Sequence, residues 1–316
     1  MAVVPAPVAR PLHPRRSVGP MTIDTLLRRS RRRYIYLVPA IAFFGLFVAW
    51  PVVSVIQASL GIRDQGMSGG FLANFSHVLH DPIFWTATRN MIYWAVITVI
   101  VQLAVGYTLA YLIETYAARS TAILRTAFLV PLVTSASVIA IVWSQIYSPD
   151  YGPLQHALSD VGINLSISLL GSPHTAIFAI IGINIWEFTG FSMLMYIVGL
   201  NRIPSELTEA AKVDGATGIR LIRSVLVPLL APITKSLVLL GIIGALQTFP
   251  LVYLTTSGGP DHASEIYGTQ IFRTGFILNE NGYASALAVL TLLIALCATA
   301  VQVGVFGTRL TVGGHS

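Results

Sequence analysis

Apolar residues gather in six long runs, approximately Tyr34–Leu60, Asn90–Ile113, Ile123–Tyr147, Thr175–Leu200, Leu229–Leu254 and Ala284–Phe306. Each holds about 20 residues or more, the length that a helix needs to cross a hydrocarbon core of roughly 30 Å. The pattern predicts an all-α integral membrane protein with six transmembrane helices. Pro39 and Pro51 inside the first run are compatible with this, since prolines are tolerated near the ends of membrane helices or where neighbours satisfy the backbone. Between the fourth and fifth runs stands the one long polar segment with a helical period of its own, Ile203–Pro228. Ser205 can cap a first helix, along which Leu207, Ala210, Ala211 and Asp214 recur at helical spacing, with Glu206 and Glu209 toward the positive end of its dipole. Gly215 falls where that helix should stop in a left-handed cap. Thr217 then opens a second helix with an apolar stripe of Ile219, Ile222 and Leu226, polar Arg220 and Arg223, and a boundary at Pro228. The segment therefore reads as helix, tight turn, helix.

Charge sorts the connections into two sets. Glu114–Ala122, Asn201–Ser224 and the residues after Gly307 carry Arg119, Arg202, Lys212, Arg220, Arg223 and Arg309. Gly61–Arg89, Ser148–His174 and Thr255–Tyr283 are longer, contain Gly and Pro, and hold few cations. Because Lys and Arg concentrate on the cytoplasmic side of a membrane, both termini and the helix-turn-helix are expected inside. Trp50, Trp85, Trp94 and Trp143 then fall near outer span ends, as interfacial aromatics should. Residues 1–33 are rich in Pro and Arg, with eight arginines before Tyr34, and read as a flexible cytoplasmic tail. Its Arg28, Arg29, Arg31, Arg32 and Arg33 suit contact with anionic lipid. A cleaved signal peptide is the rival reading, disfavoured by the long tail, the long apolar run and the lack of an A-x-A site. Residues 307–316 read as a second cytoplasmic tail.

Composition agrees with the hydropathy pattern. Of 316 residues 54% are hydrophobic and only 10% charged, against about 25% charged in a soluble domain. The excess of 19 Lys and Arg over 13 Asp and Glu lies in the tail and at span ends, which argues for membrane topology and against a nucleic-acid partner. Cys297 is the single cysteine, so neither an intramolecular disulfide nor a cysteine metal cluster can form. His77 and His80 beside Asp81 in an outer loop read as structural or solvated before they read as metal ligands. No G-x-x-x-x-G-K-[ST], H-E-x-x-H or G-x-S-x-G occurs, so no motif for ATP binding, zinc proteolysis or acyl transfer is present.

The spaced pattern Glu209-Ala210-Ala211, three residues, Gly215, nine residues, Val225-Leu226-Val227-Pro228 resembles the EAA loop of bacterial ABC-importer permeases. Val225 and Val227 replace the family's Ile and Leu and keep the positions apolar. Arg125, Pro131, Trp143 and Tyr151-Gly152-Pro153-Leu154 are similar to the third span and outer segment of carbohydrate-type permeases, with Gln155 where Asn is common. Trp186, Gly190, Phe191, Gly199-Leu200 and Ile203-Pro204 resemble the fourth span, and Thr256, Gly258, Gly259 and Pro260 the T-x-G-G-P turn after the fifth. The likeness covers roughly Asn90 to Phe306 and points to the maltose/glycerol-phosphate branch, trehalose importers among them. It implies a type I permease, with core 90–306 and coupling loop 203–228, in a bacterial plasma membrane. It also implies a second, homologous permease, two cytoplasmic ATPase subunits that bind the ATP and Mg²⁺, and an extracytoplasmic sugar-binding protein or lipoprotein. This chain would then be a transporter subunit without an ATPase site or cofactor of its own. Glu209, Ala210, Ala211, Asp214, Gly215, Val225 and Pro228 would couple it to the ATPase.

Glu187 is the one carboxylate set well inside an apolar run, with Asn184, Gly190 and Phe191 nearby on the same predicted helix. Intramembrane ionisable groups are costly and face a cavity or a partner. Glu187 either accepts solute hydroxyls beside an aromatic floor or bonds a neighbouring helix. Gln247, Phe249 and Tyr253 around Pro250 form a similar group in the fifth run, open to the same two readings. No cation lies deep in a run: Lys235 is near an inner end, and Arg89 and Arg273 are on the outer side. The path residues therefore suit a neutral disaccharide such as trehalose or maltose better than glycerol phosphate. An ion-coupled secondary transporter would call for internal repeats and several intramembrane charges, and a membrane enzyme for one of the missing motifs.

Overall fold

The computed structural model describes residues 36–61, 72–116, 121–160, 162 and 168–306. The basic cluster, Arg119, Arg309 and both tails lie outside these residues. The chain divides into Met1–Ser54 and Val55–Ser316. Helix α1, Val38–Ser59, begins in the first unit. Over Gly45–Ala49 it widens into a π-turn, in which the Trp50 N–H reaches back to the Gly45 carbonyl. Pro51 supplies the reason: it has no N–H to donate, and its ring crowds the preceding turn, so the ladder slips by one residue just before it. Phe43, Phe47 and Trp50 are exposed, the state of side chains destined for an apolar solvent.

The second unit carries α2 (Ala73–His80), α3 (Pro82–Tyr116), α4 (Thr121–Val133), α5 (Ala136–Ile146), α6 (Pro153–Asp160) and α7 (Ala176–Leu200). It continues through α8 (Ser205–Val213), α9 (Gly218–Leu229), α10 (Ala231–Gln247), α11 (Pro250–Thr255), α12 (Tyr267–Phe272, prolonged by a π-turn over Arg273–Ile277) and α13 (Asn281–Phe306). Among the described residues four helices are long and apolar enough to cross a membrane, and six if two bent pairs each count as one span.

Two of the six expected spans, the third and the fifth, are bent. The helix across Ile123–Tyr147 turns by 100° between α4 and α5. Pro131 interrupts the ladder near the end of α4, Thr134 closes it with a tight bond to the Pro131 carbonyl (3.1 Å), and Ser135 is extended. The fifth crossing begins at Ala231, after a 69° bend from α9, and α10 ends at Gln247, short of the expected Leu254. Thr248 is extended and Pro250 starts a separate short helix.

Helix α3, with 35 residues, starts eight residues before the apolar run. Asp81 and Pro82 account for the early start. The Asp81 carboxylate accepts the Ile83 N–H (2.8 Å) at the N-cap, and Pro82 fills the first position, where no N–H is needed. The extension also corrects the placing of Trp94, which is 1% exposed in the core and not interfacial.

Two apolar clusters hold the unit together. One joins Trp94, Ile139, Ile180, Ile183, Val252, Tyr267 and Leu287; the other joins Ala110, Ile113, Met193, Tyr196, Leu230 and Leu237. Helices α3 and α7 supply residues to both. Small residues let helices meet closely, as membrane packing requires. A Cβ on Gly106 would lie 2.7 Å from Ser192 Cβ of α7, and one on Gly190 would fall on the Phe128 carbonyl of α4.

Candidate functional site

The helix-turn-helix is present, with corrected details. Helix α8 is capped by Pro204, whose extended backbone (ψ 135°) turns the chain in, while Ser205 is already helical and makes no side-chain cap bond. At its far end Gly215 has φ +81°. The Gly215 N–H bonds the Lys212 carbonyl (3.0 Å) and the Ala216 N–H bonds the Ala211 carbonyl (2.9 Å), the paired closure of a Schellman turn. Asp214 is the C-cap residue and Thr217 the N-cap of α9. Pro228 lies inside α9 rather than at its boundary, and the Val227 N–H reaches Ile222 through a π-turn, the same accommodation seen before Pro51.

The expected apolar stripe of α9 is shifted. Leu221 and Leu226 are buried and Val225 is half-buried, whereas Ile219 is 71% exposed. On α8, Glu209 and Ala210 are exposed, Ala211 is half-buried and Val213 is 87% exposed. The loop thus presents a short rigid helix with small and apolar residues turned outward. Below it a cleft of about 280 Å³ is lined by Arg202, Ile203, Leu207, Leu229 and Ile233 among others. Elsewhere in the unit, Arg125 of α4 pairs with Glu114 of α3 at 2.5 Å.

Within α7, Glu187 is 8% exposed near the middle of 25 residues and makes no hydrogen bond among the described residues. Asn184 is half-buried one turn earlier. Gln102 of α3, a residue that sequence reasoning passed over, donates from Nε2 to both the backbone carbonyl and Oδ1 of Asn184, each at 3.2 Å. A lone amide in the run Val99–Val105 was the available signal. Phe191 packs against the cluster around Met193, and Gly190 is taken up by the approach of α4.

The second group divides. Gln247 ends α10 with an exposed side chain, while Phe249 and Tyr253 stack at 5.2 Å. They continue into an aromatic ladder with Phe272 (5.5 and 4.8 Å) and then Phe276 (5.3 Å), two rings of α12 and its π-turn that sequence reasoning also missed.

The T-x-G-G-P turn is fastened by buried polar groups. Asn90 donates to the Ala263 and Glu265 carbonyls at 2.8 and 2.9 Å. The Glu265 side chain, 1% exposed, bonds His262 (2.6 Å) and fills the place where Gly258, at φ +89°, has no Cβ. Asp81 accepts from Gln270 (2.9 Å) and from the Tyr283 hydroxyl, tying the start of α3 to α12 and α13. His77 and His80 lie on helix α2 and not in a loop; His77 packs on Tyr283 with ring centroids 4.8 Å apart, and His80 bonds the Ser76 carbonyl. Among the described residues no three His, Cys, Asp or Glu side chains form a metal cluster.

The described residues thus combine long apolar helices, two bent pairs and a capped helix-turn-helix. Residues 102–306 match the family of binding-protein-dependent transport system inner membrane components. The chain belongs to this family. A probable ABC transporter permease protein, YurN of Bacillus subtilis (strain 168), is 34% identical over 87% of this chain and 96% of its own length. The trehalose/maltose transport system permease protein MalF of Thermococcus litoralis is 29% identical over 90% of this chain and 97% of its own. The sn-glycerol-3-phosphate transport system permease protein UgpA of Agrobacterium fabrum is 29% identical over 85% and 92%. A chain of a bacterial alginate ABC transporter, solved with an alginate pentasaccharide-bound periplasmic protein, superposes with a TM-score of 0.77 at 22% identity, covering 89% of this chain and 95% of that one. The ABC permease thus has the type I importer fold expected of it, in a multi-pass membrane subunit that is itself a transport component.

Proposed function

We propose that this permease forms one half of the translocation path of an ATP-driven importer for a neutral oligosaccharide, a disaccharide such as trehalose or maltose being the favoured solute. The supporting observation is the set of side chains midway along α7. Asn184 and Glu187 offer polar groups there, and the described spans place no free cation beside them. Arg125 is held by Glu114, Lys235 sits in the first two turns of α10, Arg89 lies near the start of α3, and Arg273 lies where α12 passes into its π-turn, bonded to His262. A phosphate ester entering a low-dielectric path would need a cationic partner, and the Glu187 carboxyl supplies none. The aromatic ladder through Phe249 and Tyr253 adds faces suited to the apolar side of a sugar ring.

In this reading the termini are cytoplasmic and α8 docks on an ATPase subunit, with Glu209, Ala210, Ala211, Asp214, Gly215, Val225 and Pro228 forming or supporting the contact. Residues 1–33 and 307–316 are cytoplasmic tails, 34–60 is an added first span and 90–306 the transport core. The partners are a homologous permease, two ATPase subunits and an extracytoplasmic sugar-binding protein. The arginine and lysine distribution supports the orientation, and the kinship to carbohydrate permeases supports the partners.

Uptake into proteoliposomes holding the complete complex tests the proposal. Trehalose or maltose should accumulate only with ATP on the ATPase side and saturating binding protein. Accumulation of glycerol 3-phosphate in preference to both sugars would reverse the choice of solute, and uptake driven by an ion gradient without ATP would remove the importer assignment.

A further inference from the structure

The Gln102–Asn184 contact has a polarity that bears on what the path can recognise. A backbone carbonyl only accepts, so the Gln102 atom 3.2 Å from the Asn184 carbonyl must be the N–H₂ group. The same N–H₂ lies 3.2 Å from the Asn184 side chain, which must therefore turn its Oδ1 toward Gln102 and its own N–H₂ away. Gln102 is 9% exposed in α3, at the helix pair that carries both core clusters, so the orientation is fixed by groups with little freedom. Asn184 remains half-buried, and its Nδ2 makes no hydrogen bond among the described residues. One turn further along α7, on the same face, Glu187 presents a carboxyl that also has no partner there.

We infer that Gln102 is a positioning residue that locks the Asn184 amide as a donor, so that Asn184 and Glu187 together read two neighbouring hydroxyls of the solute. One hydroxyl accepts from Asn184 Nδ2 and the next donates to Glu187. The pair selects a vicinal diol, the recurring feature of a pyranose, and rejects a ring lacking either hydroxyl. This rests on the sugar-path reading above and deepens it.

The test uses the full complex in proteoliposomes, with the wild-type binding protein throughout, so that any change in discrimination arises in the permease. The probe is whichever of trehalose and maltose the complex accumulates, together with its mono-deoxy analogues. Gln102→Met keeps length and removes the donor; Asn184→Asp keeps the bond from Gln102 and leaves only acceptors facing the path. Wild type should transport the parent sugar about fivefold or more faster than at least one deoxy analogue, the scale of one unmade hydrogen bond. Each variant should lose about that factor on the parent alone, and the double variant should be no worse than either single one. A uniform loss on parent and analogues in Gln102→Met, or unchanged discrimination in Asn184→Asp, would overturn the inference. If Gln102→Met fails to reach the membrane, Asn184→Asp decides alone, because it leaves the helix contact in place. Unchanged uptake in both Asn184→Ala and Glu187→Ala would instead remove the α7 face from the path, a separate failure that falls on the proposed function.

Discussion

Replacing Gly215 tests the mechanical role proposed for the helix-turn-helix. The residue sits at φ +81° with open space around the position of a Cβ, so a side chain meets no neighbour and the whole penalty is conformational. An L-residue in the left-handed region pays about 1–2 kcal/mol, with a β-branched side chain at the high end and Asn at the low end. Relieving the strain means opening the turn, which releases the bonds from Gly215 to Lys212 and from Ala216 to Ala211. Helix α8 has nine residues, and helices below about 12–15 residues are marginal without help from their ends. Gly215→Val should therefore reduce the properly turned population roughly 5- to 30-fold, while Gly215→Asn stays close to wild type. ATPase capture by the detergent-solubilised permease, and sugar-stimulated ATP hydrolysis in the reconstituted complex, should fall in the order Gly, Asn, Ala, Val, with membrane insertion unchanged. Equal capture and equal coupling for Val and Gly would refute the reasoning, because the turn would then be free to deform without consequence.

Three other outcomes follow from the same geometry. Tyr283→Phe removes the hydroxyl bonded to Asp81 but leaves Gln270 in place, so it should cost about 1 kcal/mol and lower the thermal midpoint of the purified protein by a few degrees; an unchanged midpoint would deny the hub a structural role. Gly190→Ala drives a methyl into the Phe128 carbonyl and should separate α4 from α7 at about 1–3 kcal/mol, read as lost folded yield, whereas a normal yield would show that the contact gives way freely. In a Cys297→Ala background, cysteine at Glu280 should react with an impermeant thiol reagent in intact cells and cysteine at Val213 should not; the reverse pattern would invert the topology.

The sequence showed the spans better than their shape. Hydropathy reports how much apolar surface a segment carries, and so it located α7 almost to the residue. It does not report direction, and the 100° turn after Pro131 and the 69° turn before Ala231 left no mark in the apolar count. The start of α3 was written locally, in Asp81 and Pro82, but polarity masked it as a connection. Gly215 was legible because one backbone conformation dictates one residue type there. The close approach of the Phe128 carbonyl to Gly190 was not legible, because nothing in a single chain announces which carbonyl will come near a glycine. Gln102, Phe272 and Phe276 escaped for a related reason: their partners lie on other helices, and a lone amide or ring in an apolar run looks like filler until the partner is in view.

The proposed coupling of this subunit to a cytoplasmic ATPase is most directly tested by a crosslink. Cysteine at Ala210, on the exposed face of α8, should form a specific adduct with the co-expressed ATPase subunit when a short bifunctional thiol reagent is added, and ATP turnover should change its yield. Cysteine at Glu280 should form none. Adducts from Glu280 but not from Ala210, or a purified permease that carries no ATPase at all, would contradict the account.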